Sequence, residues 1–274
     1  MPWSAYAVAV LILLALPADA EEPLRFDGRI EALQRAEIAT QVDGVVTAVL
    51  FRGGERVVPG DPLFRIDPDR LALAVEAAEA ERAEADANLA QALQEAIRTR
   101  DLSARGIATD QRLEAAEARL IGAEAALARA KVGVAEAELN LDRAVIKAPI
   151  GGLISRPLIA LGAFVEAEAG PPLATIVDLD PVLVAYNVPY ATRLETLAKL
   201  GTQSIDALLA ALDLTLILPD GTRYPEAPTP EFASATVDPE TGALTIWASV
   251  ANSDAVLRPG MAVRVESRFT AASE

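Results

Sequence analysis

Residues 43–67 and 150–177 carry the same short β-pattern, separated by a long stretch of helix formers. Gly44, Gly54 and Val57 recur 108 positions later as Gly152, Gly162 and Val165. Leu63 and Ile66 recur as Leu173 and Ile176, two residues further on. Five positions held in register mark an internal repeat. Two half-motifs that cannot each bury a core predict one small β-domain, cut in half by whatever lies between. The repeat therefore states where the chain leaves a compact body and where it returns.

The intervening segment is rich in Ala, Glu, Leu, Gln and Arg, all strong helix formers. Asp67-Pro68 predicts a helix start, with Asp67 as cap and Pro68 in the first turn, and the helix runs to Arg100. After a break over 103–109 that contains Gly106, a second helix is expected from Asp110 to about Val145, ahead of Pro149. In it Leu113, Leu120, Leu127, Val134 and Leu141 fall every seven residues, with Ala116, Ala123, Ala130 and Ala137 between them. That 3-4 alternation is the seam of a coiled coil, and its alanines allow close approach. Val75, Ala78, Ala85, Leu89 and Ala92 answer from the first helix, with Arg82 as an interruption. Two equal arms joined by a short turn are antiparallel neighbours, about 50 Å long at 1.5 Å per residue.

After Asp178 the texture turns to short strands: Pro181–Val188, Asp213–Leu218, Phe232–Val237, Leu244–Val250 and Met261–Phe269, with a short helix over Ala191–Leu200. Pro219-Asp-Gly before Thr222–Tyr224 reads as a hairpin turn. The set predicts a compact β-barrel. At the other end, Ala5–Leu16 is an apolar run of twelve residues followed by Ala18-Asp19-Ala20. It is too short to span a bilayer and reads as a secretory signal, with a membrane anchor or buried helix as the alternatives.

Composition excludes more than it assigns. The chain has no Cys and no His, so thiolate nucleophiles, zinc thiolate sites and Ser-His-Asp triads are out of reach. A net charge of −16 argues against a nucleic-acid partner. Asp178/Asp180 and Asp238/Glu240 are the carboxylate pairs that an acid–base reading would use. They stand in turn-like sequence without other polar groups, so solvated loops are the simpler reading. No metal site and no catalytic residue is assigned.

The combination resembles the periplasmic adaptor subunits, or membrane fusion proteins, of RND-type tripartite efflux pumps. Four motifs carry the resemblance in order: Gly44/Gly54/Val57/Gly60 with Ile66-Asp67-Pro68; the return from Leu141 to Ile154; Val237 to Leu244; and Asn252-Ser-Asp with Leu257-Arg-Pro-Gly-Met261. It implies an elongated, multidomain α+β chain. A lipoyl-like β-domain is split by a long antiparallel α-helical coiled-coil hairpin, followed by a small β-barrel, with the membrane-proximal domain expected to be absent or rudimentary. The expected segments are 1–20 signal peptide, 21–41 lead-in to the barrel or membrane-proximal region, 42–67 lipoyl-like half 1, 68–146 hairpin, 147–177 lipoyl-like half 2, 178–269 barrel and 270–274 tail.

The resemblance further implies a non-enzymatic periplasmic adaptor, homo-oligomeric as a hexamer, coupling an inner-membrane RND transporter to an outer-membrane channel. An adaptor of ATP-driven or secretion-type exporters shares the same modules and is the alternative. At the hairpin tip the family's channel-contacting pattern falls on Arg98, Leu102 and Thr109, with Thr in place of the family's Ser. Without the family the same residues read as a solvated helix end, a turn-closing leucine and a helix cap. A lipoyl-like fold also raises covalent lipoate or biotin. The half-repeat turns offer Arg52, Arg56 and Arg65 but no Lys, and Lys147 belongs to the return strand, so no cofactor is expected.

Overall fold

A computed structural model describes residues 23–167, 170–200 and 205–269. The signal read at 1–20 and the tail at 270–274 lie outside them. The chain divides into two units, one running from Leu33 to Leu179, the other combining the segment up to Ala32 with Asp180 onward. The lead-in splits between them: β1 (Leu24–Ala32) belongs to the second unit and β2 (Arg35–Ile38) to the first.

In the first unit the half-repeats do fold as one body. The first half supplies β3 (Gly44–Val49), β4 (Arg56–Val57) and β5 (Pro62–Ile66). Helices α1 (Asp69–Ala104) and α2 (Asp110–Asp142) follow. The return supplies β6 (Val145–Lys147), β7 (Gly152–Ile154), β8 (Phe164–Val165) and β9 (Ala174–Val177). Two four-stranded antiparallel sheets result, ordered β2-β9-β7-β4 and β6-β5-β3-β8, each mixing strands from before and after the helices.

The pairing follows an internal two-fold. Gly44 pairs with Val165 while its repeat-mate Gly152 pairs with Val57. Gly54 N donates to Ile154 O at 2.9 Å, and the equivalent Gly162 N donates to Val46 O at 2.8 Å. Val46 opposes Ile66 as Ile154 opposes Ile176. The repeated residues thus bond to each other's partners across the axis. Their side chains fill one core with Leu63, Phe64, Ile66, Leu173 and Ile176 at its centre, and Phe51 meets Phe64 edge-on at 5.2 Å. The repeated glycine is a packing requirement. At Gly152, with φ +147°, a Cβ would run into the Val177 carbonyl, and at Gly44 into the Ile66 side chain.

The helices leave this body as an antiparallel pair. Asp67 Oδ1 accepts the Asp69 N–H at 3.0 Å, so the capping chemistry is as read, but Pro68 sits at the cap position rather than inside the first turn. The first helix extends past Arg100 to Ala104. The second stops at Asp142, three residues short of the expected end, because Val145 is taken into β6 opposite Arg65. The arms are about 54 and 50 Å long. Every seam position read in α2 is at least half-buried, with Ala116, Leu127 and Val134 the deepest. In α1 the answering seam holds and continues through Ala96 and Thr99, both buried, while Arg82 is exposed as the interruption implied. Among the described residues no helix is long and apolar enough to cross a membrane.

The second unit adds β10 (Val182–Pro189), α3 (Tyr190–Leu200), α4 (Ile205–Ala210), β11 (Leu212–Ile217), β12 (Thr229–Ala233), β13 (Ala243–Val250) and β14 (Ala262–Phe269). They form a six-stranded antiparallel sheet, ordered β11-β14-β1-β10-β13-β12, around Ile30, Val184, Tyr186, Leu216, Ala248 and Val265. Three local readings change. Residues 24–32 form a central strand that the sequence left unassigned, held by β10 and β14 on either side. The strand expected over Phe232–Val237 lies earlier, because β12 pairs with β13 from Thr229 through a bulge at Pro230/Phe232. Thr222–Tyr224 makes only an isolated bridge, Ile217 to Arg223.

Candidate functional site: the hairpin tip

Five residues, Arg105–Thr109, turn the chain between the helices. Gly106 adopts φ +73°, which lets its N–H reach Ser103 O at 2.8 Å. The Leu102 carbonyl accepts two N–H groups, from Ile107 at 2.9 Å and Ala108 at 3.3 Å. Two of the last orphan carbonyls of α1, those of Leu102 and Ser103, are thereby satisfied, and the turn is closed by its own backbone.

Of the three residues read from the sequence, Arg98 lies on the last turns of α1, its side chain 69% exposed and loosely paired with Glu95 at 3.9 Å. Leu102 is half-buried and Thr109 exposed. Thr109 takes the N-cap position of α2 with extended backbone (φ −82°, ψ 154°), but its hydroxyl makes no capping bond. Its carbonyl accepts from Arg112 and Leu113, as the first acceptor of the helix, and its hydroxyl is not tied up at the helix end. Just below, Arg100 Nη2 bonds Glu117 Oε1 at 2.7 Å and ties the two helices together.

Ile107, which sequence reading passed over, is 71% exposed at the crown of the turn. A large apolar side chain in a Gly-containing turn between polar helix ends was the signal available. The tip thus offers one apolar knob, a guanidinium and a free hydroxyl on a backbone locked by hydrogen bonds. That set suits docking to a protein surface.

The remaining motifs have structural explanations. Asn252 is fully buried, and its side chain both donates to Leu257 O and accepts from Leu257 N at 2.9 Å, clamping the 252–257 loop. Its N–H donates to Asp180 at 2.8 Å. Asp238 Oδ1 accepts the N–H groups of Glu240 and Thr241, at 2.8 and 3.0 Å. Those bonds hold its carboxyl below the usual aspartate range. One carboxylate of each pair, Asp180 and Asp238, is therefore engaged in loop geometry. Among the described residues no cluster of three or more acidic side chains could hold a metal.

Residues 34–177 match the model of the RND membrane fusion protein barrel-sandwich hybrid domain, and 181–270 that of the RND membrane fusion protein β-barrel domain. The chain belongs to the RND membrane fusion protein family. It is 31% identical to the membrane fusion protein MtrC of Neisseria gonorrhoeae, over 94% of this chain and 63% of that one. Identity is 32% to the multidrug resistance protein MexA of Pseudomonas aeruginosa, over 87% and 59%. It is 31% to the multidrug efflux pump subunit AcrA of Escherichia coli K12, over 89% and 62%. The chain therefore spans about 60% of the length of these relatives. The fold is shared with a membrane fusion protein of Streptococcus pneumoniae R6 (TM-score 0.66, 14% identity, 90% of this chain and all of that one). It is also shared with a MacA–MexA chimera carrying the Pseudomonas aeruginosa MexA α-hairpin (0.58, 23%, 91% and 79%).

Proposed function

We propose that the chain is a periplasmic adaptor of a tripartite export system, joining an inner-membrane RND transporter to an outer-membrane channel so that drugs or other small molecules leave the cell. The work is mechanical rather than catalytic. Energy comes from the transporter, and the adaptor assembles as a homo-oligomer, a hexamer by family resemblance. The observation that carries this reading is the tip: a hydrogen-bond-locked turn held about 50 Å out along two helices, with Arg98 and Ile107 exposed and Leu102 beneath them.

In this reading Arg98, Leu102 and Thr109 contact the channel. The guanidinium supplies directional donors, Leu102 an apolar anchor and the Thr109 hydroxyl a further hydrogen bond. Leu102→Asp and Arg98→Asp are expected to abolish drug resistance conferred by the system, measured in a strain lacking the chromosomal copy. Secretion and helix content should stay at wild-type levels. Full resistance with either variant removes the tip from the contact.

A further inference from the structure

Among the described residues two buried side-chain polar atoms lack a hydrogen-bond partner, the Tyr186 hydroxyl and Arg193 Nε. Native interiors pair such groups, so each orphan asks for an explanation. Both residues line the same cavity of the β-sheet unit. It sits at the end of the sheet where β1, β11 and β13 begin and β10 and β14 finish, against α3 and α4. Phe26, Val188, Leu208, Leu212, Leu244 and Ile246 make its wall almost wholly apolar. The cavity measures about 30 Å³, inside a recess of about 380 Å³ that includes open solvent.

The two orphans are chemically specific. Tyr186 is 1% exposed, and burial pushes its hydroxyl well above the ordinary tyrosine range, so it stays protonated and able to donate. Arg193 is half-buried. Its guanidinium lies 5.3 Å from the Tyr190 ring but has no carboxylate partner among the described residues. No Asp or Glu lines the cavity, and Thr196 Oγ1 already donates to Thr192 O at 2.8 Å. The site therefore holds a cation without a counter-ion and two donors without an acceptor, set against carbon. A lone water would accept those bonds but turn its own hydrogens toward an apolar wall. A carboxylate carries the missing charge and acceptors, and an alkyl chain covers the wall.

We infer that this cavity binds a short-chain aliphatic monocarboxylate, whose carboxylate accepts from Arg193 and the Tyr186 hydroxyl while its alkyl chain packs on Phe26, Leu244 and Ile246. The mouth of a β-barrel is a common place for such a pocket. The site lies wholly within the β-sheet unit and stands whether or not the hairpin tip meets a channel.

Hexanoate titrated into the full chain tests it. Binding should raise the unfolding temperature at millimolar ligand. It should also shift the methyl resonances of Leu212, Leu244 and Ile246, leaving those of Leu173 and Ile176 in the other unit unmoved. Tyr186→Phe keeps the ring and removes only the hydroxyl, and Arg193→Gln removes the charge. Each should weaken hexanoate about tenfold, the loss of one charge-assisted hydrogen bond, with the sheet signal in circular dichroism unchanged. Hexanol, which has the tail without the charge, and acetate, which has the charge without the tail, should both bind more weakly than hexanoate. Should Arg193→Gln fail to fold, Tyr186→Phe decides. The site is overturned by no binding at millimolar hexanoate, by equal affinity in the variants, or by hexanol binding as tightly as hexanoate. Shifts confined to other methyl groups, or water alone in the cavity of a crystal grown with hexanoate, overturn it equally.

Discussion

The hairpin and the β-body from which it leaves hold together by opposite means. In the body, Val46, Leu63, Phe64, Ile66, Ile154 and Ile176 are fully buried, and the pairings of β3 with β8 and β4 with β7 join residues about a hundred positions apart. In the hairpin only Ala85, Ala96, Thr99, Ala116, Leu127 and Val134 are buried, and the backbone bonds are local. Each of the body's sheets needs strands from both sides of the hairpin. The hairpin's helices need only each other's seam. A fixed base under a sparsely packed lever leaves most of the lever's surface free for partners.

The sharpest way to break that comparison is to empty one position in each region. Phe64→Ala removes a fully buried ring in contact with Phe51, and should cost about 3–5 kcal/mol in urea-induced unfolding. Leu127→Ala, at the deepest leucine of the hairpin seam, should cost about 2 kcal/mol, because an exposed pair of helices relaxes around the gap. Equal losses at the two positions would refute the division into a packed base and a lightly packed lever. Filling the flaw in the seam tests the same idea with opposite sign. Arg82→Leu should stabilise by about 0.5–1 kcal/mol, read as a higher urea midpoint at unchanged slope.

The smallest effect belongs to the β-sheet unit. Asp238 bonds two N–H groups as a carboxylate, so its folded pKa is depressed below the unfolded one. The stabilisation it gives is present above the unfolded value and is lost as pH falls through the folded one. Its carboxyl resonance should titrate below the usual aspartate range in NMR, and Asp238→Asn should flatten the acid limb of the stability curve. A midpoint at or above the ordinary value contradicts the hydrogen-bonded turn.

The tip was half legible. The break between the helices was visible from Gly106, and Arg98, Leu102 and Thr109 were singled out only through the family resemblance. Ile107 was not singled out, although a large apolar residue in a Gly-containing turn was a signal; its 71% exposure is what the structure adds. The Thr109 hydroxyl was expected to cap α2, and only coordinates show it unbonded there. β1 escaped for a different reason. Arg25, Asp27, Arg29 and Glu31 alternate with apolar residues and Gly28, a weak strand signal by itself, and its pairing partners lie 150 or more residues away.

What the sequence alone decided was whatever repeats along the chain: helical seams with a period of seven, and two β-halves in register 108 residues apart. Periodicity is local information, since a helix face or a strand edge is set by the neighbours a few residues on. Tertiary structure decided which halves exchange partners across the two-fold, where β6 ends α2, and which apolar stripe of the hairpin is covered. Those outcomes depend on contacts between distant residues, where burial of one face removes the choice left open by local preference.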